Sequence, residues 1–346
     1  MSKDRFLSHA EIARATAAHF GQTMVQLTAP GGRSRTSLRA YFADRTVIVS
    51  QRRNTDQART EAAVLQELDG AEDHAPRFLG RSDTLFFQSD VGPNRLNWAI
   101  HATRVEDRPA LAAQAVDAIF ALHRAARSRD MAPILPTGGL LSYPDDDLIA
   151  MVPEFATQMK QPVPDFDPAR LSPLFTAPPR HFVKWDCRAG NAALGDDGRV
   201  RWFDFEESRL AQGPEDFAWL IADETWPVEA DLMLDLIAAG LSRDAHPDPV
   251  AFMTFLTEFT TLHAARRVRL IFHAAKNGGW QDRVTILKTD RVGTNPHMGE
   301  RLCLRAADLA RKSPATLPLV PLFDIAASVF RRVRQPPPEG GIISLD

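Results

Sequence analysis

The sequence is poor in cysteine, in tyrosine and in net charge, and it lacks any long apolar run. Two cysteines in 346 residues, Cys187 and Cys303, make no disulfide framework, so a reduced, cytoplasmic setting is expected. A formal net charge of −3 gives no general attraction to nucleic acid or to an anionic membrane. No apolar run approaches the roughly 20 residues that a membrane span needs. The opening MSKDRFLSHAEIARATAAHF has no unbroken apolar core of the signal-peptide kind. No internal repeat and no nucleic-acid motif is present. What remains is ordinary globular composition, 44% hydrophobic and 25% charged. The chain is long for one core, which predicts one large bilobed unit or two domains.

The densest chemistry lies between His181 and Leu220, HFVKWDCRAGNAALGDDGRVRWFDFEESRLAQGPEDFAWL. A short strand ends at Val183 and a tight polar loop follows. The runs Asn191 to Leu194 and Val200 to Phe203, joined across Asp196 to Gly198, have the form of a β-hairpin. A hairpin holds its ends side by side, so it brings Asp186, Asn191 and Asp204 together, although Asp204 lies 18 residues beyond Asp186. Two carboxylates and an amide carbonyl are the oxygen ligands that hold Mg²⁺ with substrate phosphates, and a carboxylate can also orient a hydroxyl for attack. The four residues between Asp186 and Asn191 match the Asp-to-Asn spacing of the kinase catalytic loop, and Asp204 stands where a later metal-binding Asp is expected. Cys187 lies inside the loop, but no nearby His completes an activating pair for a thiol nucleophile.

Lys184-Trp185-Asp186, Gly190-Asn191, Phe203-Asp204-Phe205-Glu206 and Gly213-Pro214-Glu215-Asp216 follow one another in that order. The set resembles the aminoglycoside phosphotransferase and choline kinase-like enzymes, whose signature is H-G-D-x-x-P-x-N, a hairpin, I-D-W or I-D-F, then G-D-P-x-x-D. The resemblance covers roughly residues 22 to 305. It implies a bilobed, protein-kinase-like α+β fold: a β-rich N-lobe over 1–91, a mainly helical C-lobe over 92–334, and a flexible tail over 335–346. It further implies ATP and Mg²⁺ as cofactors, with Asp186 as the catalytic residue and Asn191 and Asp204 on the metal. The γ-phosphate would pass to a hydroxyl of a small molecule. Asp216 is expected to bond the backbone of the catalytic loop.

Earlier in the chain, Ser8-x-x-Glu11 has capping-box form and opens a helix to about Phe20. Met24 to Thr28, Thr36 to Phe42 and Thr46 to Ser50 read as strands of a meander. The Gly-rich first turn places Gly31 and Gly32 where backbone N–H groups approach phosphates, or in a plain surface hairpin. A helix from Asp56 to Leu68 puts Glu61 on one face with Leu65 and Leu68. The resemblance makes Glu61 the partner of a strand lysine that holds the nucleotide phosphates. That lysine is missing: Ser50, or Gln51, stands in its place. Arg52 shares the Ser50 face of the strand and is the first candidate replacement, with Arg33 and Arg35 as others. Two further strands, Pro76 to Gly80 and Thr84 to Gln88, lead to Ser89-Asp90-Val91-Gly92. That segment resembles the family's hinge, with Asp90 beside the nucleotide.

A helix from Arg108 to Ala126 carries a stripe of Ala112, Ala115, Val116, Ile119, Leu122 and His123, the last read as a structural hydrogen-bonding residue. From Met131 to Pro179 the chain is rich in proline and aspartate, either an acidic substrate-side insertion or solvated turns and helix caps. Lys184 replaces the family's loop-bracing His and should lower the pKa of Asp186. Helices follow over Glu229 to Gly240 and Pro249 to about Ala275, the latter basic near its end at Arg266, Arg267 and Arg269. This late helix loosely resembles that of bacterial amino-sugar kinases of the N-acetylmuramate type. The reading is an ATP-dependent small-molecule phosphotransferase, a monomer or weak homodimer, acting on a sugar or amino sugar. The alternative is a pseudokinase serving as a nucleotide-binding or protein-interaction module.

Overall fold

The computed structural model describes residues 7–29, 37–51, 55–82, 85–136, 147–244, 246–289 and 291–334. The chain begins with α1 (His9–Phe20), closed by the expected capping box: Glu11 N–H donates to Ser8 Oγ and Ser8 N–H to Glu11 Oε2 at 2.8 Å. Strands β1 (Gln26–Thr28), β2 (Ser37–Tyr41) and β3 (Thr46–Gln51) form the meander, α2 (Thr55–Leu68) follows, and β4 (Phe78–Ser82) and β5 (Leu85–Ser89) complete the sheet. Among the described residues the order is β1-β2-β3-β5-β4, all neighbours antiparallel.

Side chains alternate across this sheet as strand geometry requires. Leu38, Ala40, Val47, Val49 and Phe87 lie in one buried cluster with Ile12 of α1. The His19 ring of α1 stacks on Phe87 with centroids 4.3 Å apart. Gly80 has φ +111, and a Cβ there would meet the His19 ring at 2.8 Å, so both backbone and space require glycine. Phe86, of the opposite parity, belongs with Val64, Leu65 and Leu68 of α2 to the large core. Glu61, Leu65 and Leu68 are all buried, as their shared face predicts.

The larger part is helical: α3 (Leu96–Ala102), α4 (Arg108–Arg127) and α5 (Met151–Gln158), then, beyond four short strands, α6 (Glu215–Ile221), α7 (Ala230–Arg243), α8 (Pro249–Gly278), α9 (Arg283–Thr289), α10 (Pro296–Ala310) and α11 (Val320–Arg334). The α4 stripe is buried from Leu111 to Ala126. Asp248 caps α8 by accepting from Ala251 N–H at 2.9 Å. Between α5 and α6 lie four short strands: β6 (His181–Val183), β7 (Ala192–Leu194), β8 (Val200–Trp202) and β9 (Arg209–Ala211). β7 and β8 pair as the expected hairpin, turning through Gly195 to Gly198. The pairing of β6 with β9 carries no mark in the sequence, because three-residue strands have too little periodicity to read. Of the aspartates in the Pro-rich stretch, Asp147 accepts from Ile149 and Ala150 N–H, and Asp167 from Ala169 N–H. At these positions the aspartates act as turn and helix caps. No helix among the described residues is long and apolar enough to cross a membrane.

Candidate active site

The loop from β6 to β7 is held at both ends by carboxylates near α6. Asp216, fully buried, accepts from Lys184 N–H and Trp185 N–H, both at 2.8 Å. Its Oδ2 also lies 2.9 Å from His123 Nε2 on α4. Asp223 accepts from Ala189 N–H at 2.9 Å. Between these anchors the backbone takes left-handed conformations at Trp185 (φ 60) and Asp186 (φ 45). Such conformations cost roughly 1–3 kcal/mol each for non-glycine residues and persist only when the surroundings enforce them. Lys184 helps to enforce them. It is fully buried, donates from Nζ to Trp185 O at 3.3 Å and to Asp186 O at 3.4 Å, and lies 5.4 Å from the centre of the Phe205 ring. The residue in the position of the family's bracing His therefore braces this loop as well, through its ammonium.

Asp186 and Asn191 meet as expected. Asn191 Nδ2 donates to Asp186 Oδ2 at 2.8 Å and to Asp186 O at 3.0 Å. Two acceptors on one side fix which end of the amide is nitrogen, and they leave the Asn191 carbonyl oxygen as its remaining ligand atom. Arg188 forms a two-pronged pair with the Asp186 carboxylate, Nε to Oδ1 at 2.7 Å and Nη2 to Oδ2 at 3.1 Å. Burial pushes the Asp186 carboxyl up, but Arg188, and after it Lys184, hold it below its ordinary value. The lowering expected from Lys184 is present, and Arg188 contributes more. Sequence reasoning missed Arg188; its signal is a cation two residues from a carboxylate, which can fold back on it where the turn between them is tight.

Asp204 ends the hairpin with φ 67. Its neighbours fix its place: Phe203 N–H donates to Asn191 O at 2.9 Å, and Phe205 N–H donates to Glu61 Oε1 at 3.3 Å. Glu61, buried on α2, thus reaches the backbone beside Asp204. At the expected lysine position Ser50 is buried, and its hydroxyl meets that of Ser37 at 2.7 Å. The neighbouring Gln51 accepts from Leu7 N–H. Gly31, Gly32, Arg33, Arg35 and Arg52 lie outside the described residues. Cys187 is buried, and burial followed by the charge of Asp216 pushes its thiol well above the usual range, which removes it as a nucleophile.

A cavity of about 280 Å³ lies between the sheet and the helical part, lined by Ser37, Ile48, Gln88, the segment from Asp90 to Pro93, Trp98 and Phe203. Asp90 is one wall of it. Its carboxylate is occupied by Arg39, at 2.5 and 2.9 Å, and by Gly92 N–H at 2.9 Å, so it shapes the hinge backbone. Arg95 ties this segment to the β6–β7 loop, donating to Gly190 O at 3.2 Å. Phe203 carries the wall directly to Asp204.

The charges at the end of α8 are largely internal. Arg267 is buried in a two-pronged pair with Glu224, at 2.7 and 3.0 Å, and Arg269 pairs with Glu154. Arg266 lies over the Trp219 ring at 5.8 Å. No group of three or more His, Cys, Asp or Glu residues able to hold a metal occurs among the described residues. A site of one carboxylate and one amide oxygen falls below that count, and its hard oxygen donors suit Mg²⁺ bound together with phosphates.

No protein-family profile matches the chain, and no curated protein matches it by sequence. Solved structures do match. The gentamicin complex of the aminoglycoside phosphotransferase APH(2'')-IIa aligns over 83% of this chain and 96% of its own, with TM-score 0.53 and 15% identity. The ADP-bound aminoglycoside phosphotransferase APH(2'')-Ib aligns over 84% and 99%, with TM-score 0.50 and 14% identity. A putative aminoglycoside phosphotransferase from Ralstonia eutropha aligns over 95% and 99%, with TM-score 0.52 and 14% identity. The chain has the protein-kinase-like fold of the aminoglycoside phosphotransferases.

Proposed function

We propose that the chain is an ATP-dependent phosphotransferase that moves the γ-phosphate to a hydroxyl of a small molecule, with a sugar or amino sugar as the first candidate acceptor. The observation that carries this reading is the strained, braced loop that holds Asp186 against Asn191, with the hairpin strand bonded to Asn191 O through Phe203 N–H, next to Asp204. Strain of this kind is retained where geometry matters to chemistry. The ADP bound in one structure of the same fold and the gentamicin in another support a nucleotide and a hydroxylated small molecule as the two ligands.

In this reading the adenine lies in the cavity against the hinge backbone of Asp90 to Gly92. Asn191 and Asp204 hold Mg²⁺, which would neutralise charge on the phosphates. Asp186 orients the acceptor hydroxyl. Its depressed pKa makes it a weak base, and phosphoryl transfer needs positioning and charge stabilisation more than proton abstraction. Arg188, held beside the point of transfer, supplies the fixed positive charge that β3 does not offer at Ser50. Gly31, Gly32 and Arg52 remain part of the proposed phosphate site.

One observation favours a second reading, that of a pseudokinase. The Ser50–Ser37 pair fills the lysine position with neutral groups. Release of ADP during incubation with ATP, Mg²⁺ and a panel of sugars and amino sugars separates the two. An enzyme gives acceptor-dependent ADP that disappears in Asp186→Asn. ADP release that is independent of acceptor and unchanged in the variant contradicts the enzyme reading.

A further inference from the structure

A second cavity, of about 680 Å³, shares no lining residue with the one at the lobe interface. It is enclosed by the end of α4, the β6–β9 ribbon, the end of α7 and the start of α8. Its size falls in the range of small-molecule sites. The floor is apolar, with Phe120, Phe182 and Phe252 among its residues, and the rim is basic, with Arg127, Arg129 and Arg180.

The charge balance of the rim is specific. Of the two acidic residues lining the cavity, Asp244 is taken up by Arg127 at 2.9 Å and Arg124 at 3.4 Å, and Asp130 accepts from Ala132 N–H. Arg129 donates to Ala125 O and Ser128 Oγ. Arg180 and His181 make no side-chain hydrogen bond or ion pair among the described residues, and both are exposed on the rim. Partial desolvation of the ring lowers the pKa of His181 although the residue reaches the surface, and the neighbouring His123, His246, Arg127 and Arg180 lower it further. Burial lowers that of His246 too, with Arg127 adding to the effect and Asp248 and Asp244 opposing it. With both imidazoles held toward the neutral form, three lining arginines against two aspartates leave one positive charge above an aromatic floor, the complement of an organic anion.

The cavity also has a mechanical link to the loop. His123 is one of its lining residues and lies 2.9 Å from Asp216, which holds the N–H groups of Lys184 and Trp185. We infer that this cavity binds a small amphipathic organic anion, an aromatic or aliphatic carboxylate or sulfonate. Its apolar body rests on the phenylalanines and its charged group meets Arg180 and His181. Its occupation reaches the catalytic loop through His123 and Asp216. The inference does not depend on the phosphotransferase reading, since the cavity and the link exist whatever reaction the loop performs.

The test is a fluorescence titration of the full chain with 8-anilinonaphthalene-1-sulfonate, with ATP present to compete for the lobe-interface cavity. The neutral N-phenyl-1-naphthylamine serves as comparison, and Arg180→Ala and Arg180→Glu as variants. One saturable site is expected, weakened in Arg180→Ala and by about ten-fold or more in Arg180→Glu, with melting temperatures unchanged. Equal affinity in Arg180→Glu, or a neutral probe that binds as tightly as the sulfonate, overturns the site. At saturating probe, hydrogen exchange at the Lys184 and Trp185 amides should change several-fold. Unchanged exchange with the probe bound overturns the link to the loop.

Discussion

On the sheet side of the lobe-interface cavity, β3 offers Ser50 at the position where phosphate-binding charge is expected, and Ser37 satisfies its hydroxyl. On the helical side, Lys184, Asp186, Arg188 and Asn191 are bonded to one another, and Asp216 and Asp223 pin the backbone on either side. Among the described residues, the bonded cluster of charges around Asp186 lies on the helical wall, while the sheet wall carries one ion pair, Arg39 with Asp90. Buried charge is costly unless each group is paired, and the helical core supplies the partners. Along β3 the described wall is neutral, at Ile48 and Ser50, which suits the flat part of a ligand.

The hardest test of this contrast removes Asp216. Asp216→Ala leaves two buried N–H groups and His123 without a partner, so a loss of roughly 3 kcal/mol or more is expected in urea unfolding. A loss under about 1 kcal/mol would mean that the loop does not depend on this anchor.

Next in size is the pH dependence of the helical wall. Glu215, fully buried, accepts from Gln212 and Gly213 N–H, yet burial raises its carboxyl from 4.5 to about 7. The folded state then binds the proton more tightly than the unfolded one. This group's contribution is greatest below its unfolded value and declines as pH rises from about 4.5 through about 7, by roughly 3 kcal/mol. Glu215→Gln should remove that decline, measured as the difference from wild type in unfolding free energy between about pH 5 and pH 8. Parallel pH curves for the two proteins would contradict it.

Arg188→Met sharpens the comparison at Asp186, the proposed catalytic residue. In the wild type the depressed Asp186 contributes stability that is present above its unfolded value and lost as pH falls through its folded one. Without Arg188 the effect of burial should dominate and the Asp186 pKa should move up. A carboxyl ¹³C titration reads the change directly, and an unmoved pKa would assign the depression elsewhere. The smallest effect is expected on the sheet wall. Ser50→Ala should cost about 1 kcal/mol of stability and leave ATP affinity within about two-fold, a change of under 1 kcal/mol. A large loss of affinity would give Ser50 the phosphate role that the comparison denies it.

The sequence carried the fold through order more than through any one residue. Asp186, Asn191, Asp204 and Asp216 stand at family intervals around a hairpin with its own turn signal, and the structure returns Asp186 to Asn191 and Asp216 to the loop backbone. The capping box at Ser8 and the shared face of Glu61, Leu65 and Leu68 were legible because helical spacing is local. Three features were not legible. The β6–β9 pair is too short to show a period, and its strands are 28 residues apart in sequence from His181 to Arg209. The left-handed turn at Trp185 and Asp186, through which Arg188 reaches the carboxylate, is a conformation that neither residue type announces. Asp223 meets Ala189 only because α6 packs beside the loop, which is a tertiary fact. The basic end of α8 shows the same limit: Arg267 is paired with Glu224 inside the core, a partner that lies 43 residues away in sequence.

The most direct test of a metal–nucleotide site is a calorimetric titration of ATP into the wild type and Asp204→Ala, each with Mg²⁺ and with EDTA. A site built on Asn191 and Asp204 predicts Mg²⁺-dependent binding in the wild type and at least about a ten-fold loss in the variant. Absence of wild-type binding at millimolar ATP, or binding indifferent to both Mg²⁺ and Asp204, would contradict it.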